Sequence, residues 1–98
     1  MAIRKTNEQS LGEVIKQIIK DFQFKDKLLE VKINAAWKKV MGPQIESYTD
    51  RLVFKNSELT IYLKSAPLRE ELHMARTRIV SLINKELKEN AIKEIILR

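Results

Sequence analysis

His73 is the only histidine in the sequence, and there is no cysteine. A zinc ion held by His73 would need carboxylates at ligand spacing, and none stands there. Arg69 and Arg76 lie four residues before it and three after it, the spacing of one helix side. His73 therefore reads as an ordinary surface histidine on a basic, solvent-facing stripe. Gly12 and Gly42 are the only glycines, so no glycine-rich loop can cradle a phosphate. The acidic residues keep mixed company: Glu70 and Glu71 follow Arg69, and Glu86 and Glu89 alternate with Lys85 and Lys88. That is a solvated helix with ion pairs one turn apart, not a carboxylate dyad set for acid/base work. The expectation is a protein that is not an enzyme, with no catalytic residue, metal site, cofactor or small-molecule substrate.

Chemistry of a different kind is open to the basic and aromatic residues. Between residues 23 and 41 five lysines (Lys25, Lys27, Lys32, Lys38, Lys39) face two carboxylates (Asp26, Glu30). Between residues 51 and 65 Arg51, Lys55 and Lys64 face Glu58 alone. Positive charge gathered in this way attracts phosphates, and such binding fades steeply with salt. It also keeps a small protein soluble, and the sequence leaves both uses open. Tyr62, between Thr60 and Lys64 on an alternating run, either stacks a base or packs at a sheet edge. Trp37, at helical spacing with Ile33, Val40 and Met41, either fills the core or anchors a protein partner.

These side chains need elements to position them. Leu59 to Lys64 alternate apolar and polar residues, the period of a strand with one buried face. Leu59, Ile61 and Leu63 are expected to face helices, with Thr60, Tyr62 and Lys64 on the other side. Residues 51–55 form the preceding strand, and Asn56-Ser57 sits at the hairpin turn. After the break at Ser65-Ala66-Pro67, Leu68, Leu72, Ala75, Ile79, Leu82 and Ile83 recur at helical spacing. Ser65 is the expected cap of one long helix, Pro67 lies in its first turn, and Asn90 is its left-handed C-terminal residue. Residues 92–97 read as the strand that receives this crossover.

Upstream, Ser10-Leu11-Gly12-Glu13 has the form of a capping box. It opens a helix that carries Leu11, Val14, Ile15, Ile18, Ile19 and Phe22 on one stripe. A second helix is expected from near Asp26, carrying Leu29, Ile33, Ala36, Trp37 and Val40 inward and ending at Gly42-Pro43. With only residues 23–25 between them, the two helices are expected to pack as an antiparallel or crossed pair. Residues 43–50 form a connector with room for one helical turn. The order is α-α-β-β-α-β, an α+β fold: a three-stranded sheet with helices packed on one face. The sequence does not decide which strand the last one pairs with.

At 98 residues the chain is one domain, residues 10–98, preceded by a polar arm at 1–9 that is expected to be flexible. A formal net charge of +6 favours polyanions or an acidic protein surface as partner. No apolar run marks a signal peptide or a membrane span, and the absence of cysteine fits a reducing compartment. The expected location is the cytoplasm, with no membrane contact.

The series Trp37-Lys38-Lys39-Val40-Met41-Gly42, then Leu59-Thr60-Ile61, Ser65 at a helix start, Leu72 within that helix and Asn84 near its end resembles the DciA family. The resemblance spans nearly the whole chain. It implies a KH-like domain (type II-like), similar also to the N-terminal domain of the initiator DnaA, and a bacterial helper of the replicative helicase DnaB. Many DciA proteins also bind DNA. The Gly-x-x-Gly loop with which KH domains clamp a nucleic-acid backbone is missing here. Many relatives also carry a basic C-terminal extension, and this sequence ends at Arg98. Binding of single-stranded DNA is accordingly expected to be weak.

Two functions compete. In the first, the domain docks on the helicase through Trp37 and its neighbours or through the sheet face around Tyr62, and assists loading on single-stranded DNA. Lys38, Lys39, Arg51, Lys55, Lys64, Arg69 and Arg76 are then the candidates that attract DNA. In the second, a KH-like domain binds RNA or DNA without a helicase partner. A self-associating scaffold built on an open sheet edge is a third, weaker reading.

Overall fold

The computed structural model describes residues 8–98. Its elements are α1 (Glu8–Ser47), β1 (Thr49–Lys55), β2 (Glu58–Leu63), α2 (Ala66–Met74), α3 (Arg76–Leu87) and β3 (Glu94–Leu97). The fold is α+β, a three-stranded sheet in the order β1-β2-β3. β1 and β2 form an antiparallel hairpin, and β3 lies parallel to β2. The last strand thus pairs beside the second, which makes β2 the central strand.

The two N-terminal helices expected from the sequence are one. α1 runs without a break through residues 23–25, because Gln23, Phe24 and Lys25 include neither Gly nor Pro and all three tolerate helix. The break comes at Gly42, whose φ of 86° and ψ of 169° lie in a region that only glycine enters freely. Pro43 then starts a last turn to Ser47 in a new direction. The capping box is also displaced: α1 already includes Glu8, so Ser10 stands inside the helix and not at its cap. Residues 1–7 of the expected arm lie outside the described residues, and Glu8 and Gln9 belong to α1.

Residues 8–41 at 1.5 Å each make a rod of about 51 Å. That accounts for most of the molecule's longest dimension of 57 Å, against 25 and 20 Å across. Only the second half of the rod meets the sheet. Leu29, Ile33, Ala36 and Trp37 are buried with Leu52, Phe54, Leu59, Ile61 and Leu63 of the hairpin, Leu72 of α2, Ile79 and Ile83 of α3, and Ile92 and Ile95. The first-half stripe, expected to pack in a helix pair, is half exposed at Leu11, Ile15, Ile18, Ile19 and Phe22.

Trp37 is 1% exposed, and its indole N–H donates to the Thr49 hydroxyl oxygen at 2.9 Å, which itself donates to the Ile45 carbonyl at 2.9 Å. This chain ties α1, its turned C-terminal segment and the start of β1 together. The free edge of β1 is met by side chains of α1. The Phe54 amide donates to the Glu30 carboxylate at 2.9 Å and the Asn56 amide to Asp26 at 3.4 Å.

Ser65 caps α2 as expected, its hydroxyl accepting from the Leu68 amide at 3.3 Å, with Pro67 in the first turn. The single long helix, however, is split. Ala75, with φ −98° and ψ 9°, leaves helical geometry between α2 and α3, and the guanidinium of Arg76 takes up the His73 carbonyl at 2.9 Å. α3 ends earlier than expected. Lys88, not Asn90, holds the left-handed position (φ 62°). The turn back to β3 is clasped by Asn84, whose side chain donates to the Ile92 carbonyl at 2.8 Å and accepts from the Ile92 amide at 2.9 Å. Two predictions follow from these local geometries. Asn56 and Ser57 both have positive φ (52° and 65°), the pattern of a type I′ turn, in which glycine at the second position is preferred. Ser57→Gly is expected to stabilise the domain by about 0.5–1 kcal/mol in urea unfolding, because it relieves the left-handed strain of a β-carbon. Asn84→Ala removes both halves of the clasp from buried Ile92 and is expected to cost about 2 kcal/mol in the same measurement.

Candidate functional site

All three helices pack on one face of the sheet, and the other face is open. β1 and β2 register pairs Arg51 with Tyr62, Val53 with Thr60, and Lys55 with Glu58. β2 and β3 register pairs Glu58 with Glu94 and Thr60 with Ile96. The ladder continues one step further, since the Arg98 amide donates to the Ile61 carbonyl at 2.9 Å and the Arg98 carbonyl accepts from the Leu63 amide at 2.8 Å. That places Arg98 opposite Tyr62. Because side chains alternate, the open face carries three rows across the strands. Arg51, Tyr62 and Arg98 form the first, Val53, Thr60 and Ile96 the second, and Lys55, Glu58 and Glu94 the third.

The first row is the chemically distinctive one. The Arg51 guanidinium lies 4.2 Å from the centroid of the Tyr62 ring, a cation–π stack. The hairpin register that starts at Lys55 and Glu58 brings the pair together, and it ends there at a bulge: Thr49 pairs with Leu63 and Arg51 with Tyr62, so Asp50 is the extra residue. Lys64 follows Leu63 directly and is exposed at the same end of the sheet, its amide bonded to the Tyr48 carbonyl at 2.8 Å. Positive charge is thus concentrated around one half-exposed aromatic ring, with the Asp50 carboxylate as its nearest counter-charge in sequence. The second row is largely apolar, with Val53 exposed. The third mixes signs.

The structure separates the remaining candidates from this face. Trp37 is sealed in the core and presents no surface to a partner; it stands behind β1, fixed to Thr49. Lys38 and Lys39 are exposed on α1, in the helix layer. Lys39 Nζ lies 2.7 Å from Glu86 on α3, and the hydrogen bond and attraction of that carboxylate raise the Lys39 pKa above its ordinary value. Arg69 is half-buried, with one guanidinium nitrogen donating to the Leu63 carbonyl at 3.3 Å. Arg76 is folded back on His73, 2.9 Å from its carbonyl and 3.2 Å from its ring nitrogen. So Arg51, Lys55, Lys64 and Tyr62 share one face, and Lys38, Lys39, Arg69 and Arg76 do not join them.

Arg98, Val53 and Ile96 are members of this face that the sequence reasoning passed over. Their period-two spacing with Glu94 was visible, but it becomes informative only once β3 is known to lie beside β2. Elsewhere, an open groove of about 530 Å³ lies between the first half of α1 and the hairpin, lined among others by Ile19, Phe22, Asp26, Glu30, Val53 and Phe54. Its two carboxylates are the ones already engaged by the Phe54 and Asn56 amides. Among the described residues no group of three His, Cys, Asp or Glu side chains could hold a metal ion, and no helix is long and apolar enough to cross a membrane.

No curated protein and no solved structure matches the chain. Residues 10–97, nearly all of it, match the family model described as "Dna[CI] antecedent, DciA". The protein belongs to the DciA family, whose members are associated with loading of the DnaB helicase.

Proposed function

We propose that the domain is a non-enzymatic adaptor that docks on a DnaB-type replicative helicase through its open sheet face and assists the helicase onto single-stranded DNA. The observation that carries this reading is the Arg51–Tyr62 stack with Lys64 and Arg98 around it, on a face that no element among the described residues covers. An aromatic ring held by a guanidinium, beside the apolar row Val53, Thr60 and Ile96, has the composition of a protein-binding patch with an Arg/Tyr centre. The same cations reach toward phosphates, but they are few. Three phosphate contacts give a log–log salt slope of only about −2 for a single strand, which places DNA in the role of a weak second ligand.

The reading makes two linked predictions. In co-elution with the replicative helicase of the same cell, Tyr62→Ala weakens complex formation at least about tenfold, and Arg51→Glu does so at least as strongly. Lys38→Glu, on the helix side, leaves it unchanged. In a titration with labelled single-stranded oligonucleotide, the isolated domain binds more weakly than about micromolar at physiological salt, and Arg51→Glu/Lys64→Glu flattens the slope by about 1.4. Tight oligonucleotide binding that survives the salt increase, together with helicase binding indifferent to Tyr62, would instead support a nucleic-acid binder acting without the helicase.

A further inference from the structure

The first half of α1 leaves the body of the domain with an unpartnered apolar stripe. Leu11, Ile15, Ile18, Ile19 and Phe22 are 46, 49, 48, 51 and 66% exposed. Eighteen residues are about five full turns of helix, so Leu11 stands directly in line with Leu29, Ile15 with Ile33, Ile18 with Ala36 and Ile19 with Trp37. The exposed stripe is therefore the continuation of the face that packs on the sheet. The sheet ends, and the stripe does not.

We propose that a second copy of this chain covers it, two α1 helices pairing antiparallel over residues 11–22. The spacing of Leu11, Ile15, Ile18 and Phe22 is four, three and four residues, the seam of a coiled-coil pair. A seam of this kind is self-complementary, as a two-fold interface requires. The size suffices: on the order of 500 Å² of apolar surface per copy gives about 1,000 Å² in the pair, the lower limit of a specific interface. The charge fits as well. Residues 11–22 hold Glu13 and Asp21 against Lys16 and Lys20, so this segment is neutral in a chain of net charge +6. It can meet its own copy without repulsion, and it lacks the basic polar face with which a helix seeks nucleic acid or an anionic membrane.

The direction of pairing is fixed by the domain body. A parallel partner helix, extended along the stripe past residue 26, would run into the sheet on which Leu29 and Ile33 pack. An antiparallel partner leads away from that sheet. It pairs Leu11 with Phe22 of the other copy and Ile15 with Ile18. Each Leu11 then reaches the mouth of the groove that Ile19 and Phe22 share with Val53 and Phe54 of the hairpin. Of these residues only Val53 also belongs to the open sheet face, in its second row.

Sedimentation of the purified protein tests the proposal. The chain is expected to be dimeric at about 100 μM, as suits an interface at the lower size limit. Ile18→Asp is expected to weaken the dimer at least about 100-fold while leaving the far-ultraviolet spectrum and the melting transition intact, since Ile18 lies outside the core. A second readout uses the absence of native cysteine. An equimolar mixture of Leu11→Cys and Phe22→Cys chains is expected to form an intermolecular disulfide under mild oxidation, and Leu11→Cys alone is not. A monomer at every concentration to about 500 μM, far above the dissociation constant such an interface gives, overturns the proposal. So does a dimer that tolerates Ile18→Asp, or one in which Leu11→Cys cross-links to itself.

Discussion

The fold depends on a mismatch of lengths. β1, the longest strand, has seven residues and spans about 23 Å, while the straight part of α1 is about 51 Å long. A helix laid across so small a sheet can bury only its second half. That half supplies the fully buried Ile33 and Trp37, against which Leu59 and Ile61 of the central strand close. Each such side chain contributes about 1.5–3 kcal/mol by leaving water. The first half gains nothing comparable from its own chain, and the rod stays helical there because no residue between Leu11 and Met41 forces it to stop. Gly12, a weak helix former, lies at the far end of the rod and not at the rim of the sheet.

The same helix lets a three-stranded sheet end cleanly. An edge strand exposes amides that invite another chain. On β1 the Phe54 amide is taken by Glu30, and Asp26 takes the Asn56 amide in the turn just beyond it, both reaching down from α1 as a fourth strand would, but with carboxylates. Charged side chains on the helix thus guard the edge, and the apolar ones beside them fill the core. At the opposite side the sheet is closed differently. β3 is short, and the loop before it is held by Asn84, whose amide group pairs with Ile92 as a strand residue would. In both places a polar side chain does the work of a backbone ladder.

The strands were legible because each has one wet and one dry face. Leu59, Ile61 and Leu63 alternate with Thr60 and Tyr62, and that period survives folding unchanged. Helix existence was equally readable, but helix ends were not. Nothing in Ala75 marks a break, and Leu72 and Ile79, seven residues apart, would share one side of an unbroken helix as well, so the apolar spacing does not register it. Nor does Lys88 announce a left-handed residue. Asn90 is the better intrinsic choice, but the Asn84 clasp on Ile92 sets where the turn must fall. The supposed break at residues 23–25 is the reverse error: the polar Lys25 and Asp26 interrupt the apolar stripe, and an interruption in hydrophobicity was taken for one in the backbone. The candidate site was half readable. Tyr62 and Arg51 could each be placed on the open face by alternation, yet that they stand opposite each other depends on the tight Asn56-Ser57 turn, whose type neither residue declares. Whether Arg69 and Arg76 were free or spent on carbonyls could be known only from tertiary contacts.

Two surfaces emerge, which adjoin at Val53 and Lys55. The open sheet face looks away from the helix layer, and its basic end lies where β2 runs out, at Tyr62 and Lys64. The overhanging part of α1 departs near the other end of β2, where the Asn56-Ser57 turn lines the same grooves as Phe22 and Asp26. A ligand confined to Arg51, Tyr62 and Lys64 therefore stands clear of one on the overhang, and only at Val53 and Lys55 do the two surfaces meet. The rigid link between them is α1 itself, carried into the sheet by Trp37 and Thr49. One continuous helix thus sets the distance and angle between the overhang and the open sheet face.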